Sequence, residues 1–202
     1  MTFLTFSTIA IAITRRQLLN TAAITSNVPI SSFNLPISSS KYIQFYGDVD
    51  VESCNNLIAN LVAADEAAEE EYPIHLHIQS FGGDLMPMFY VLDCIDSMKS
   101  PVWTYVDGYA ASAASLLSVY GKKRLMTKRS FVLMHELKTT SQGTYSEVMT
   151  DIAHSKELMQ MMCKVYETKT AMQPTEIKQL LMKDTWLNAQ KCIKRGIVDT
   201  IC

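Results

Sequence analysis

One serine stands in a stretch made almost entirely of small residues. Gly108-Tyr109-Ala110-Ala111-Ser112-Ala113-Ala114 follows an apolar run, Val102 to Val106 (VWTYV), and opens a small-residue helical pattern that reaches Tyr120 and stops at Gly121. A serine nucleophile needs its hydroxyl exposed on a tight turn, with room beside it for a substrate carbonyl. It also gains from the amides of a helix N-terminus, which favour developing negative charge. Ser112 meets each requirement. The pattern is not GxSxG, so the nucleophile elbow of the α/β-hydrolases does not apply. Ser115 is the local competitor, but inside a helix a serine usually bonds back to the backbone. Close helix packing is the structural use of the same small residues.

A second feature lies upstream. Gly82-Gly83 ends the run Ile74 to Ile78 (IHLHI), and a glycine pair at a strand end lets the backbone approach a ligand closely. One N–H there, with the N–H that follows Ser112, would make a pair of oxyanion donors. Phosphate binding is the usual rival for a glycine pair, and it is discounted because neither a Walker pattern nor GxGxxG is present. His135 follows the apolar run Phe131 to Met134 (FVLM), where a histidine serves either as a base or as a structural residue. His75 and His77 share one face of their strand, but no third ligand stands at metal-site spacing, so no metal is expected. His154 falls in a long helical pattern and is read as a surface residue.

The elements that position these residues alternate. Tyr42 to Tyr46 (YIQFY) reads as a strand closed by Gly47-Asp48. Asp50 caps a helix from Val51 to about Ala68, with Val51, Cys54, Ile58, Leu61 and Val62 on one side. The acidic run Glu69-Glu70-Glu71 ends it as a solvated surface, and Pro73 prevents its return. IHLHI is a strand, Met86 to Met98 a helix, VWTYV a strand ended by Asp107-Gly108, and FVLM a further strand. Tyr145 to about Thr170 is the longest helical pattern. Pro174 starts the next helix, Asn188 caps a last one that stops at Gly196, and Ile197-Val198 is a short strand. Strands alternating with helices at this spacing imply an α/β fold with parallel strands and right-handed crossovers.

Composition narrows the function. The chain has 202 residues, enough for one domain with a sizeable core, and a formal net charge of −2. There is no basic surplus for nucleic acid and no acidic tail. The 5 cysteines form no CxxC pair, which argues against a disulfide framework or structural zinc and fits a reducing compartment. The 12 methionines are read as core packing, with a Met-rich subunit contact as the alternative. Residues 1 to 14 carry no charge and precede Arg15-Arg16; the run is too short to span a bilayer and its charge lies on the wrong side for a secretory signal. No acidic residue occurs before Asp48, so residues 1–38 are taken as an arm, a leader or an organelle transit segment, and residues 39–202 as a single domain.

From about Tyr42 to Ile201 the chain resembles the proteolytic subunit of the Clp protease, the ClpP family of serine peptidases. IHLHIQSFGG resembles the family's strand and glycine turn, GYAASAAS its nucleophile turn, SFVLMHEL its histidine segment, and KDTWLNAQKCIKRGIVDTI its C-terminal segment. The resemblance implies a triad of Ser112 as nucleophile, His135 as general base and Asp184 as orienting carboxylate, with Gly83 and Ala113 supplying the oxyanion amides. Composition does not single out Asp184 among the acids; the resemblance does. It further implies a ClpP/crotonase-like spiral of βαβ units with a protruding handle at about residues 138–170, in which Gly143 marks the junction between a groove-lining strand and its helix. Implied partners are further copies of the chain in seven-membered rings stacked as a tetradecamer, a Clp-type AAA+ unfoldase, and unfolded polypeptides. No cofactor is implied, since ATP is used by the unfoldase; nucleic acid and stable membrane insertion are not expected, and the implied compartment is the cytoplasm or an organelle matrix.

The sequence also departs from the family pattern. Phe81 stands where proline usually precedes the glycine pair, Glu136-Leu137 replace Gln-Pro after the histidine, and Met88 lies near a position where small residues are common. Residues 1 to 36 do not show the family's N-terminal pore loop, which leaves unfoldase docking open. Two other readings stand beside the active peptidase: an inactive structural or regulatory ring subunit, and an acyl-CoA hydratase or isomerase of the crotonase type.

Overall fold

The first strand, β1 (Tyr42–Val49), alternates, with Ile43, Phe45 and Val49 buried. The computed structural model describes residues 41–67 and 72–202, so the N-terminal arm and the acidic run Glu69 to Glu71 lie outside the described residues. Helix α1 (Val51–Glu66) begins at a capping box: the Asp50 carboxylate accepts from the Ser53 amide at 2.7 Å, and the Asp50 amide donates to Ser53 Oγ at 3.0 Å. Its buried stripe is Cys54, Leu57, Leu61 and Ala64; Val51 and Val62, expected on that face, are exposed.

Then follow β2 (Ile74–Gly83), α2 (Leu85–Asp96), β3 (Val102–Ala111), α3 (Ala113–Tyr120), β4 (Lys123–Met126), β5 (Phe131–Met134), α4 (Tyr145–Lys169), α5 (Pro174–Met182), β6 (Thr185–Asn188), α6 (Ala189–Lys194) and β7 (Thr200–Ile201). Among the described residues the strands form one 7-stranded sheet in the order β1-β2-β3-β4-β7, with β5 beside β3 and β6 beside β5. All pairings are parallel except β5 with β6. The expected α/β architecture with parallel strands and crossover helices is what the chain adopts.

Several boundaries differ from expectation, each for a pairing reason. β2 and β3 do not stop at Ile78 and Val106. They continue to Gly83 and Ala111, because Asp48 and Val49 pair with Gly82 and Gly83, and Tyr109 to Ala111 pair with Phe131 to Leu133. The last strand is Thr200–Ile201, not Ile197-Val198; Ile197 and Val198 are buried before the chain reaches β4. The groove-lining strand expected before Gly143 is absent: residues 135–144 carry no strand. A strand needs a partner for its ladder, and this segment is instead tied down singly. The Glu136 amide donates to the Leu181 carbonyl at 3.2 Å, and Ser141 Oγ donates to Asp151 at 2.6 Å.

Helix α4 has 25 residues, yet buries only Met162 and Tyr166, both towards its C-terminal end. Its N-terminal part keeps Tyr145, Met149 and Ile152 exposed, at helical spacing on one side. Helix α4 falls within the stretch, about residues 138–170, where a handle is expected. Among the described residues no helix is long and apolar enough to cross a membrane.

Arg124 closes the far end of the sheet. Its guanidinium donates to the carbonyls of Lys169 and Gly196 and to the Asp199 carboxylate, joining the ends of α4, α6 and β7 to β4. Burial raises the Asp199 pKa, but hydrogen bonds and charge from Arg124 outweigh it and hold the carboxyl below its ordinary value. A carboxyl with a depressed folded pKa contributes stability above its unfolded pKa of about 3.9, and loses it as pH falls through the folded value. Asp199→Asn is therefore expected to lower the melting temperature at pH 7. The gap to the parent should narrow as the pH drops below about 4; a gap that stays constant through the acid range would refute the assignment.

Candidate active site

Ser112 occupies the single residue between β3 and α3, with φ 56° and ψ −128°, a conformation that L-residues adopt only under local constraint. The constraint is visible on both sides. The Ser112 amide donates to the Leu133 carbonyl at 3.0 Å, tying the turn to β5 two residues before His135. The Ser112 carbonyl accepts from the Ser115 amide at 2.9 Å and from Ser115 Oγ at 2.6 Å. Ser115 is fully buried and also hydrogen-bonds the Tyr166 hydroxyl at 2.7 Å. It supports the turn and cannot reach a substrate, which removes it as a rival nucleophile.

The glycine pair packs directly on this turn. A Cβ on Gly82 would lie 2.5 Å from the Ala111 carbonyl oxygen and 2.6 Å from Ser112 Cβ. One on Gly83 would lie 2.1 Å from the Val49 carbonyl oxygen. Both glycines have positive φ, at 91° and 151°. Only glycine allows two strands and a helix start to converge here. Phe81, standing in the usual proline position, is exposed and stacks on Tyr109 with ring centroids 4.2 Å apart. Met88 is fully buried in the core.

Ser112, His135, Gly83 and Ala113 line one cavity of about 130 Å³, shared with Leu85, Glu136, Leu137, Lys138 and Met162. Ala113 is the first residue of α3, so intrahelical bonding leaves its amide unpaired. The cavity thus brings together a half-buried serine, a half-buried histidine and the backbone of both proposed oxyanion residues.

Asp184 stands apart from this group. The antiparallel ladder pairs Met134 with Thr185, so one further step sets Asp184 across from His135. The ladder ends there, and Asp184 takes φ 46°, a left-handed conformation that aspartate tolerates better than most residues. Its exposed carboxylate accepts from Lys138 Nζ at 3.1 Å. His135 Nδ1 meets the Glu136 carbonyl at 2.5 Å. A carbonyl only accepts, so Nδ1 carries a proton; in the neutral imidazole Nε2 is then the acceptor, the tautomer a general base requires. Among the described residues no hydrogen bond joins the side chains of Ser112, His135 and Asp184. Lys138, Leu137 and Met162 come to the cavity from a loop and from α4; nothing local in the sequence marks them.

The histidines of β2 do other work. His75 Nδ1 bonds the Tyr105 hydroxyl and His77 Nδ1 donates to Asp107, each at 2.7 Å, and the His77 ring stacks on Tyr105. Among the described residues no group of three or more His, Cys, Asp and Glu is placed to hold a metal.

The Clp protease family profile matches residues 30–202 of the chain. The chain belongs to the Clp protease family. It is 28% identical over 168 residues to the ATP-dependent Clp protease proteolytic subunit 2 of Treponema denticola, covering 81% of this chain and 82% of that one. It is 30% identical over 156 residues to the ATP-dependent Clp protease proteolytic subunit of Bdellovibrio bacteriovorus, covering 74% and 73%. The corresponding subunit of Chlorella vulgaris is 27% identical over 156 residues, covering 76% and 77%. The chain is thus a protease subunit of the Clp family, a family of serine endopeptidases, and its mixed α/β sheet with crossover helices is consistent with that family's fold.

Proposed function

We propose that the chain is the serine endopeptidase subunit of a self-compartmentalised protease, with Ser112, His135 and Asp184 as its triad. The observation that carries this reading is the shared cavity in which Ser112, on a strained turn, faces the same space as His135, Gly83 and Ala113. Ser112 Oγ attacks the peptide carbonyl as His135 Nε2 takes its proton. The carbonyl oxygen gains negative charge and is met by the amides of Gly83 and Ala113, each such donor typically contributing about 3 kcal/mol. His135 then protonates the leaving amine, and water releases the acyl group by the same route. Asp184 stabilises the imidazolium and orients it. No metal or organic cofactor enters the scheme.

The substrates in this reading are unfolded polypeptides, delivered by a Clp-type AAA+ ATPase. The exposed Tyr145, Met149 and Ile152 on α4 support self-association through the handle, in stacked seven-membered rings. The compartment is the cytoplasm or an organelle matrix.

A second reading, a ring subunit that does not cut, is favoured by one observation: the three side chains are not joined in this conformation. A fluorophosphonate probe separates the two readings. Intact-mass analysis of the assembled protein is expected to show one phosphonyl group per chain, mapped to Ser112. Absence of labelling under conditions that label an active Clp peptidase would reject the active reading and leave the structural one.

A further inference from the structure

We propose that Lys138 is a positioning residue that withholds Asp184 from His135, so that the relay closes only when this lysine lets go. The proposal rests on the serine-peptidase reading above and adds a control to it. The ladder between β5 and β6 brings Asp184 opposite His135, one step past the Met134 and Thr185 pair. The backbone thus sets the two residues across from each other. What occupies the carboxylate is Lys138 Nζ, at 3.1 Å from Oδ2. What occupies the imidazole nitrogen that would receive it is the Glu136 carbonyl, at 2.5 Å. Glu136 and Lys138 flank Leu137 on one irregular segment, and both line the cavity that holds Ser112 and His135. One short loop thus holds both halves of the relay apart.

The consequence for catalysis follows from charge. With Nδ1 on a neutral carbonyl, His135 keeps the base tautomer but lacks a carboxylate to stabilise the imidazolium formed as Ser112 attacks. The arrangement binds substrate normally and reacts slowly. Lys138 and Asp184 are both largely exposed, so their attraction is modest and is screened by salt. Release of the latch frees the Asp184 carboxylate, which the ladder sets opposite His135, to accept from Nδ1 once the imidazole gives up the Glu136 carbonyl.

The test compares the parent ring with Lys138→Met, which keeps length and removes charge, and Lys138→Arg, which keeps a cation. A fluorogenic peptide reports kcat and KM, and the phosphonate probe reports the labelling rate of Ser112. Lys138→Met is expected to raise kcat and the labelling rate about two- to fivefold at low ionic strength, at unchanged KM. Added salt should raise the parent towards the Lys138→Met value and leave Lys138→Met flat, and Lys138→Arg should stay below Lys138→Met. Equal kcat in parent and Lys138→Met, a change confined to KM, or the same salt response in both would overturn the latch while leaving the peptidase intact. If neither parent nor variant is labelled, the serine-peptidase reading fails and the latch fails with it.

Discussion

Ser112→Ala is expected to cut peptide hydrolysis by at least about 10⁴-fold, with the folded structure unchanged. The size of the loss follows from the absence of a substitute. Ser115, the next hydroxyl, is fully buried and donates its hydrogen to the Ser112 carbonyl. The fold should survive because no side-chain hydrogen bond of Ser112 holds it. The amide of Ser112 to the Leu133 carbonyl and its own carbonyl to Ser115 are backbone groups that alanine retains. Alanine also meets the same φ of 56° as the serine it replaces. Melting temperature should therefore change little while turnover and phosphonate labelling vanish together. A variant that cleaves like the parent would exclude Ser112 as the nucleophile.

Gly82→Ala tests the frame rather than the nucleophile, and it should damage both stability and turnover. The added methyl meets the Ala111 carbonyl at 2.5 Å, Ser112 Cβ at 2.6 Å and the Ala113 nitrogen at 3.0 Å. None of these atoms sits on a flexible side chain that could swing away, so strand and helix start must separate. Overpacking of about 1–3 kcal/mol adds to about 1–2 kcal/mol for an L-residue in the left-handed region. For a domain of this size the melting temperature should fall by roughly 4–20 °C. Misplacement of Ser112 and Ala113 by about 1 Å would cost a further 10²-fold in rate. Gly47→Ala is the control. Gly47 also has positive φ, at 130°, but its Cβ would meet nothing within 4 Å, so it isolates the backbone penalty. If Gly82→Ala destabilises no more than Gly47→Ala, the close approach of β2 to the nucleophile turn is not what demands glycine.

The local pattern of the candidate site was legible in the chain because it depends on residue size and order over a few positions. A serine among alanines between an apolar run and a helical pattern, a glycine pair after a strand, and a histidine closing FVLM are signals contained within single turns. Helix ends were legible for the same reason: Asp50, Pro174 and Asn188 stand where their own side chains or ring select the start, and each starts its helix in the structure. Two of the short strands were not. β4 and β6 have 4 residues each, and nothing in KRLM or TWLN distinguishes them until β3, β7 and β5 lie alongside. The strand expected before Gly143 failed in the opposite sense, since no neighbouring strand completes its ladder.

By itself the sequence determined that this is an α/β chain with a serine presented at a strand-to-helix turn, because periodicity, turn chemistry and steric freedom are properties of neighbouring residues. Only the tertiary structure decided which distant groups share that turn's space. Gly83, His135 and Met162 meet Ser112 in one cavity, whereas Asp184 is held by Lys138. Whether a carboxylate faces an imidazole or an ammonium depends on register, on where a ladder ends and on competition between charges. Those interactions form only after separate segments have packed together.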